Sequence, residues 1–328
     1  MGGTAWSDDH YASKANLRAS TNTPTFATSK AIDALPDKDK KAHDSLNPLG
    51  VKVRESRDSD LHPESLAIAV INDVTGSMLE VPKTIQKQLC KLMGLLWRKG
   101  YVAHPQILVG AVGDANSDFV PLQMGQFESG IEIENDLTNL YLEGNGGGQN
   151  KETYELGMYF LARHTSLDCF EKRGKRGYCF IIGDEGYYPK VKKDQVKQII
   201  GDTLEADIPT AEIVKELQKT FEVYYIMPNL TSHYGDDVIL SMWKELLGEN
   251  VLTLDDPDAI CEMIASTIGV CEGIELSQIS EDLKEAGTTA LTVASIGSSL
   301  SKVKFGRKEI GPLTELPDDD ASTGVSTF

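Results

Sequence analysis

Three oxygen-bearing side chains stand at alternate positions directly after an apolar run. Residues 66–71 are all aliphatic, and the chain continues Asn72-Asp73-Val74-Thr75-Gly76-Ser77. An uninterrupted run of this kind predicts a strand buried on both faces. In an extended-to-turn segment, Asp73, Thr75 and Ser77 bring one carboxylate and two hydroxyls toward a single point at the strand's carboxyl end. Open α/β sheets bind ligands at such ends. A hard divalent cation such as Mg²⁺ takes oxygen ligands of this sort and keeps several waters. The same residues would equally serve as a helix cap, so the rest of the chain has to decide.

The elements that would position these groups follow from periodicity. After Pro82, Ile85, Leu89, Leu92 and Leu96 recur at helical spacing up to Gly100, an amphipathic helix. Residues 106–114 read as a second buried strand. The four-residue link Ala115-Asn116-Ser117-Asp118 to the next apolar run is too short for a parallel crossover, so an antiparallel hairpin is expected, with Pro121 placing the returning strand at the sheet edge. A short helix over 131–143, a flexible glycine-rich loop from Gly144 to Glu152 and a helix carrying Tyr154, Met158, Leu161 and Ala162 come next. Residues 176–185 form a third buried strand that again ends in a carboxylate, Asp184, followed by Glu185. Helices near 191–200 and 209–220, a strand at 221–227, a helix at 236–247, a short strand at 250–254 and a helix at 257–269 complete the alternation. Asp256-Pro257 reads as a helix cap and first turn. The fold class expected is a doubly wound, Rossmann-like α/β sheet, mostly parallel with one antiparallel edge strand and helices on both faces.

Composition sets the outer limits. The 328 residues carry a net charge of −18 with 40% apolar residues, which argues against nucleic acid and anionic membranes as partners. Residues 1–61 are rich in Ser, Thr, Asp and Lys and read as an irregular arm with short helices near 29–45. Its Trp6, Tyr11 and Phe26 are anchors onto the domain or onto a partner. Residues 62–272 form the α/β domain, and 273–328 a C-terminal helix and an acidic polar tail. The five cysteines lack metal-binding spacing and read as reduced, buried thiols. No signal pattern and no membrane-length apolar run appear, so a cytoplasmic protein is expected. The histidines, His233 among them, lack paired spacing and read as structural or surface groups. Lys172-Arg173-Gly174-Lys175-Arg176 is a compact basic turn, read as a solvated loop or as a dock for the acidic tail.

With Asp73-x-Thr75-x-Ser77 after one core strand and Ile182-Gly183-Asp184-Glu185 after a later one, residues 64–270 resemble the von Willebrand factor A (vWA) family. The triplet is similar to that family's metal-ion-dependent adhesion site (MIDAS) motif. The resemblance implies a bound Mg²⁺ (or Mn²⁺), with Thr75 and Ser77 as direct ligands and Asp73 and Asp184 bound directly or through water. A carboxylate from a protein partner would complete the shell. One departure stands out. The family supplies a threonine from the middle loop, whereas here Gly146-Gly147-Gly148 leads to Gln149 and Glu152, so Gln149, Glu152 or water would take its place. Glu152 would equally serve as a helix-start acid. The loop fits neither GxxxxGK[ST] nor GxGxxG, which argues against a nucleotide.

The function expected is therefore a non-enzymatic, metal-dependent protein–protein interaction module, an adaptor or assembly factor that captures an Asp or Glu of its partner. The resemblance also implies work beside AAA+ ATPase systems. Two other readings stay open. One is a structural subunit whose arm and tail thread into an oligomer. The other is an Mg²⁺-dependent aspartyl-phosphate enzyme with Asp73 as nucleophile, although Thr75 stands where phosphatases of that kind place an acid.

Overall fold

The computed structural model describes residues 4–144 and 151–303, apart from the side chain of Ser77. Its centre is a six-stranded sheet built from β1 (Ser65–Asp73), β2 (His104–Val112), β3 (Leu122–Met124), β4 (Gly177–Ile182), β5 (Phe221–Pro228) and β6 (Val251–Leu254). The spatial order is β6-β5-β4-β1-β2-β3, parallel throughout except for β3, which runs antiparallel to β2 at one edge. This is the expected Rossmann-like α/β arrangement. β1 lies in the middle of the sheet, flanked by β2 and β4, and every one of its residues is buried. That position explains the unbroken apolar run: a central strand covered by helices has no face that tolerates polar side chains.

Helices Glu80–Lys87, Leu89–Met93 and Ile260–Cys271 pack together on one side, while Tyr154–Arg163 and Thr210–Thr220 pack together on the other. The single helix expected after Pro82 is interrupted at Gln88 and continues into a π-helical turn, Gly94–Arg98. Ile85, Leu89, Leu92 and Leu96 nonetheless all face the core. Asp256 caps the turn Pro257–Ala259 as expected, accepting from the Asp258 amide. Among the described residues no helix is long and apolar enough to cross a membrane.

The N-terminal arm departs from its expected irregularity. Residues Asp8–Thr21 form a helix, followed by Ala27–Asp33, and Arg54–Ser56 pairs in parallel with Thr165–Leu167. The first helix has no buried residue, so its sequence lacks the apolar stripe that marks helices. It is held by polar contacts instead. Tyr11 donates to the Gln86 carbonyl at 2.7 Å, and Lys14 and Arg18 pair with the fully buried Glu134 at 2.5 and 2.6 Å. Trp6 is buried against the core and Phe26 packs on it, so the arm's aromatic anchors seat on their own domain. Further along, the arm covers the open edge of β3. The Met124 amide donates to Leu46 O at 2.7 Å and the Arg54 guanidinium donates to Met124 O at 2.9 Å, which removes an exposed strand edge.

Helices Leu276–Glu285 and Ala290–Leu300 close the other end of the sheet beside β6. The basic turn is occupied within the domain: Arg173 pairs with Asp58, Lys172 with Asp168, Lys175 with Glu272 and Arg176 with Glu222. The acidic tail lies outside the described residues, as do Gln149 and most of the glycine-rich loop.

Candidate metal centre at the carboxyl edge of the sheet

Strand register brings the acids to one edge. Asn72 pairs with Ile182 and Asp73 with Val112. Asp73 thus ends β1, Asp184 lies two residues beyond the end of β4, and Asp114 lies two beyond the end of β2. Glu152 arrives from the other direction: the pair Lys151–Glu152 runs beside Gly186–Tyr187, which places it just ahead of the helix Tyr154–Arg163.

Asp73 is fully buried and both its oxygens are engaged. Oδ1 accepts from the Thr75 amide at 2.9 Å and the Thr75 hydroxyl at 2.7 Å, and Oδ2 accepts from the Tyr154 hydroxyl at 2.7 Å. The Asp-to-Thr contact is what a capping residue would make. The same Thr75 Oγ1, however, lies 3.0 Å from Glu152 Oε1. A hydroxyl has one proton to give. Thr75 cannot donate to two carboxylates at once, so one of the pair must carry a proton or share a cation. Glu152 Oε2 is buried without a hydrogen-bond partner. Burial, followed by the Asp73 charge, pushes the Glu152 carboxyl far above the ordinary range; Asp73 is also raised, by burial first and then, after its stabilising hydrogen bonds, by the charge of Asp184.

Asp184 is 5% exposed and heads a second group. Its Oδ2 accepts from the Thr231 hydroxyl at 2.5 Å and lies 3.4 Å from His233 Nδ1. Ligand atoms of Asp184, Glu185 and His233 all fall within 4.8 Å of one another. Glu185 Oε2 is buried without a hydrogen-bond partner, and burial together with the charges of Asp73 and Asp184 raises that carboxyl to about 8. The main chain of Glu185 is fixed from below: Trp243 Nε1 and the Tyr225 hydroxyl donate to its carbonyl at 2.9 and 3.3 Å. Tyr225 stacks on Trp243 at 4.1 Å between ring centroids, and Tyr154 meets the same indole edge-on at 5.3 Å. An aromatic platform therefore carries the acids of both groups.

The structure thus joins Asp73, Thr75 and Glu152 directly, and sets Asp184 in a neighbouring cluster within reach of their charges. Thr75 is buried where the triplet places it; the Ser77 side chain and Gln149 lie outside the described residues. Among the described residues no lysine or arginine pairs with Asp73, Glu152 or Glu185, whereas acids elsewhere on the domain, such as Asp58, Asp168 and Glu134, are ion-paired. Buried carboxylates without counter-ions need protons or a cation. The oxygen-rich donor set suits a hard dication, and the uncapped oxygen of Glu152 is a place where it would be satisfied.

Asp114 belongs to the same edge but is self-contained. Its Oδ1 holds the Asn116 amide and side chain at 3.0 and 2.7 Å, its Oδ2 accepts from the Tyr188 hydroxyl at 3.0 Å, and its amide donates to Asp118 Oδ2 at 2.7 Å. Tyr154, Glu185, Thr231 and His233 are residues of this edge that sequence reasoning did not name as ligands; it read His233 as a structural or surface group and Tyr154 as part of a helix face. Glu185 was in plain view beside Asp184. His233 carries a positional signal, since it follows the end of β5 in the loop that neighbours Asp184, but only the strand order makes that signal readable.

No protein-family model matches this sequence, and no curated protein matches it. Among solved structures, the chain is similar to the pilus adhesin SpaC from Lactobacillus rhamnosus GG in its open conformation, at 10% identity and a TM-score of 0.42, over 70% of this chain and 31% of the adhesin. It is also similar to proximal thread matrix protein 1 from the mussel byssus, at 12% identity and a TM-score of 0.41, over 68% of this chain and 50% of that protein. The chain spans 31% to 50% of the length of these structures. Likeness at this level bears on neither family nor function.

Proposed function

We propose that this protein is a metal-dependent protein–protein interaction module of the vWA type, in which a divalent cation, Mg²⁺ or Mn²⁺, at the end of β1 captures an acidic side chain of a partner. The supporting observation is the shared Thr75 hydroxyl: it touches two buried carboxyls with one proton to give, and Glu152 has an uncapped oxygen and no ion pair with a lysine or arginine among the described residues. Thr75 and Ser77 would bind the ion directly, with Asp73 and Asp184 direct or through water. Glu152 takes the place of the family's loop threonine, and in its protonated form it satisfies Thr75 without adding negative charge. With Glu152 neutral, the residues that would hold the cation leave it short of negative charge, which would favour an Asp or Glu from outside.

Tyr154 and Thr75 orient Asp73, and Tyr154 in turn packs edge-on against Trp243. The ion itself supplies electrostatic attraction for the incoming carboxylate. An aspartyl-phosphate role for Asp73 is disfavoured by its full burial and by the engagement of both its oxygens, because a nucleophile needs a free oxygen facing its substrate. The five cysteines are all free thiols, which supports a cytoplasmic setting.

The test is capture of partners from source lysate by wild type and by Asp73→Ala, each with Mg²⁺ and with EDTA. Capture should fall with either change, and Mg²⁺ should raise the melting temperature of wild type alone. Partners retained under both changes overturn the proposal.

A further inference from the structure

We infer that Asp184, Glu185 and His233 form a second cation site on this edge, one that takes a borderline transition-metal dication of the Zn²⁺ class. The inference shares Asp184 with the Mg²⁺ reading above but stands on different donors. Imidazole nitrogen is a poor ligand for Mg²⁺ and a good one for Zn²⁺, and a set of one histidine and two carboxylates leaves an open position on a four-coordinate ion.

The spacing favours an ion over a simple ion pair. His233 Nδ1 and Asp184 Oδ2 are 3.4 Å apart, and Nδ1 makes no hydrogen bond. Two donors at about 2.0 to 2.1 Å on a tetrahedral ion are separated by about 3.3 Å. Thr231 uses one lone pair of Asp184 Oδ2, and a carboxylate oxygen has a second to offer. The third donor, Glu185 Oε2, is buried and makes no hydrogen bond. One ligand atom from each of the three residues lies within 4.8 Å of the other two, which groups them around one point.

Two features mark this as a built site. His233 Nδ1 and Glu185 Oε2 are both buried atoms without a hydrogen-bond partner, and they lie together with Asp184. The Glu185 carbonyl is also pinned by Trp243 and Tyr225, which fixes the main chain from which one ligand extends. The His233 side chain keeps 29% of its surface exposed, which leaves an entry path for the ion.

Equilibrium dialysis with Zn²⁺ in excess Mg²⁺, and visible absorption of the Co²⁺-substituted full chain, test the assignment. Wild type should take up one equivalent of Zn²⁺ and show four-coordinate Co²⁺ bands. His233→Ala, and separately Glu185→Gln, should weaken Zn²⁺ binding by about 100-fold or more, since even indirect supports of a metal site are worth about 10- to 100-fold. Asp73→Asn should abolish the Mg²⁺ response and leave Zn²⁺ uptake intact. Zn²⁺ affinity unchanged in both His233→Ala and Glu185→Gln would overturn the inference. So would loss of Zn²⁺ together with Mg²⁺ in Asp73→Asn, because zinc would then be occupying the Mg²⁺ position. Loss of the Mg²⁺ response by wild type with retained His233-dependent Zn²⁺ uptake would sink the first reading and keep the second.

Discussion

The Tyr154 hydroxyl occupies the space that a side chain on Gly183 would need. A Cβ at Gly183 would lie 2.0 Å from that oxygen, and the oxygen donates to Asp73 Oδ2 at 2.7 Å. A missing side chain at the end of β4 therefore lets a helix residue reach the acid at the end of β1. This explains why glycine precedes Asp184: it is a clearance for the support of another strand's carboxylate.

Gly183→Ala should push the tyrosine ring off Asp73 and destabilise the protein by about 1 to 3 kcal/mol, the usual range for overpacking a tight core. Tyr154→Phe should cost about 1 to 3 kcal/mol by leaving a buried carboxylate oxygen without its donor. Because both act on one contact, the double variant should cost less than the sum of the two. Urea unfolding of the three variants measures this. Strict additivity would show that the two residues do not communicate.

Glu152→Gln should stabilise the metal-free protein at pH 8. Burial and the Asp73 charge raise the Glu152 carboxyl in the folded state, so the folded chain binds more protons than the unfolded one above the ordinary glutamate value of 4.5. Stability then falls as pH rises, with a slope of up to about 1.4 kcal/mol per pH unit for one proton. A glutamine amide donates to Thr75 without that penalty. The variant's advantage should be absent at pH 4 and grow toward pH 8. An advantage already present at pH 4 would assign the effect to packing.

How far the sequence speaks for the site depends on whether the cause is local. Asp73 and Asp184 were legible because a central strand has to be an apolar run, and a carboxylate ending such a run is visible in the chain. The edge position of β3 was legible from the short link 115–118 and Pro121, both local constraints on chain direction. The helix Asp8–Thr21 was not, because its docking rests on a buried glutamate more than a hundred residues away and on no apolar stripe. His233 was illegible for a similar reason. It reaches Asp184 only because β5 lies beside β4, and strand order is a long-range property. The Tyr154–Gly183 clearance likewise joins two segments that no local pattern relates.

Asp136 offers a pH-dependence away from the acidic edge. Its carboxyl is buried beneath the covered edge strand, accepting from Ser45 and the Gln126 amide, with Glu128 and Arg54 nearby. Burial is the main cause that raises it to about 7. The folded value exceeds the unfolded 3.8, so the protonated form's contribution is complete below about pH 4 and is lost as pH rises toward 7. Asp136→Asn should flatten that part of the stability profile. A profile unchanged between pH 4 and 7 would count against a buried, neutral Asp136.

Glu134 should decide whether the N-terminal helix stays docked. Its carboxylate is wholly buried and pairs with Lys14 and Arg18 from the helix, while Gln86 Nε2 donates to it at 3.1 Å. Those two cations reach over the domain from a helix that contributes no buried residue of its own. Glu134→Gln leaves both cations without a counter-charge and should cost about 3 kcal/mol, the lower end for breaking a buried pair, since Lys14 and Arg18 retain some contact with water. The loss should be local. Amide exchange within residues 8–21 should accelerate, and proteolysis should begin between the two arm helices, while exchange in β1 and β4 stays slow. If the helix amides of Glu134→Gln remain as protected as those of wild type, Trp6 and Tyr11 rather than the ion pairs hold the arm in place.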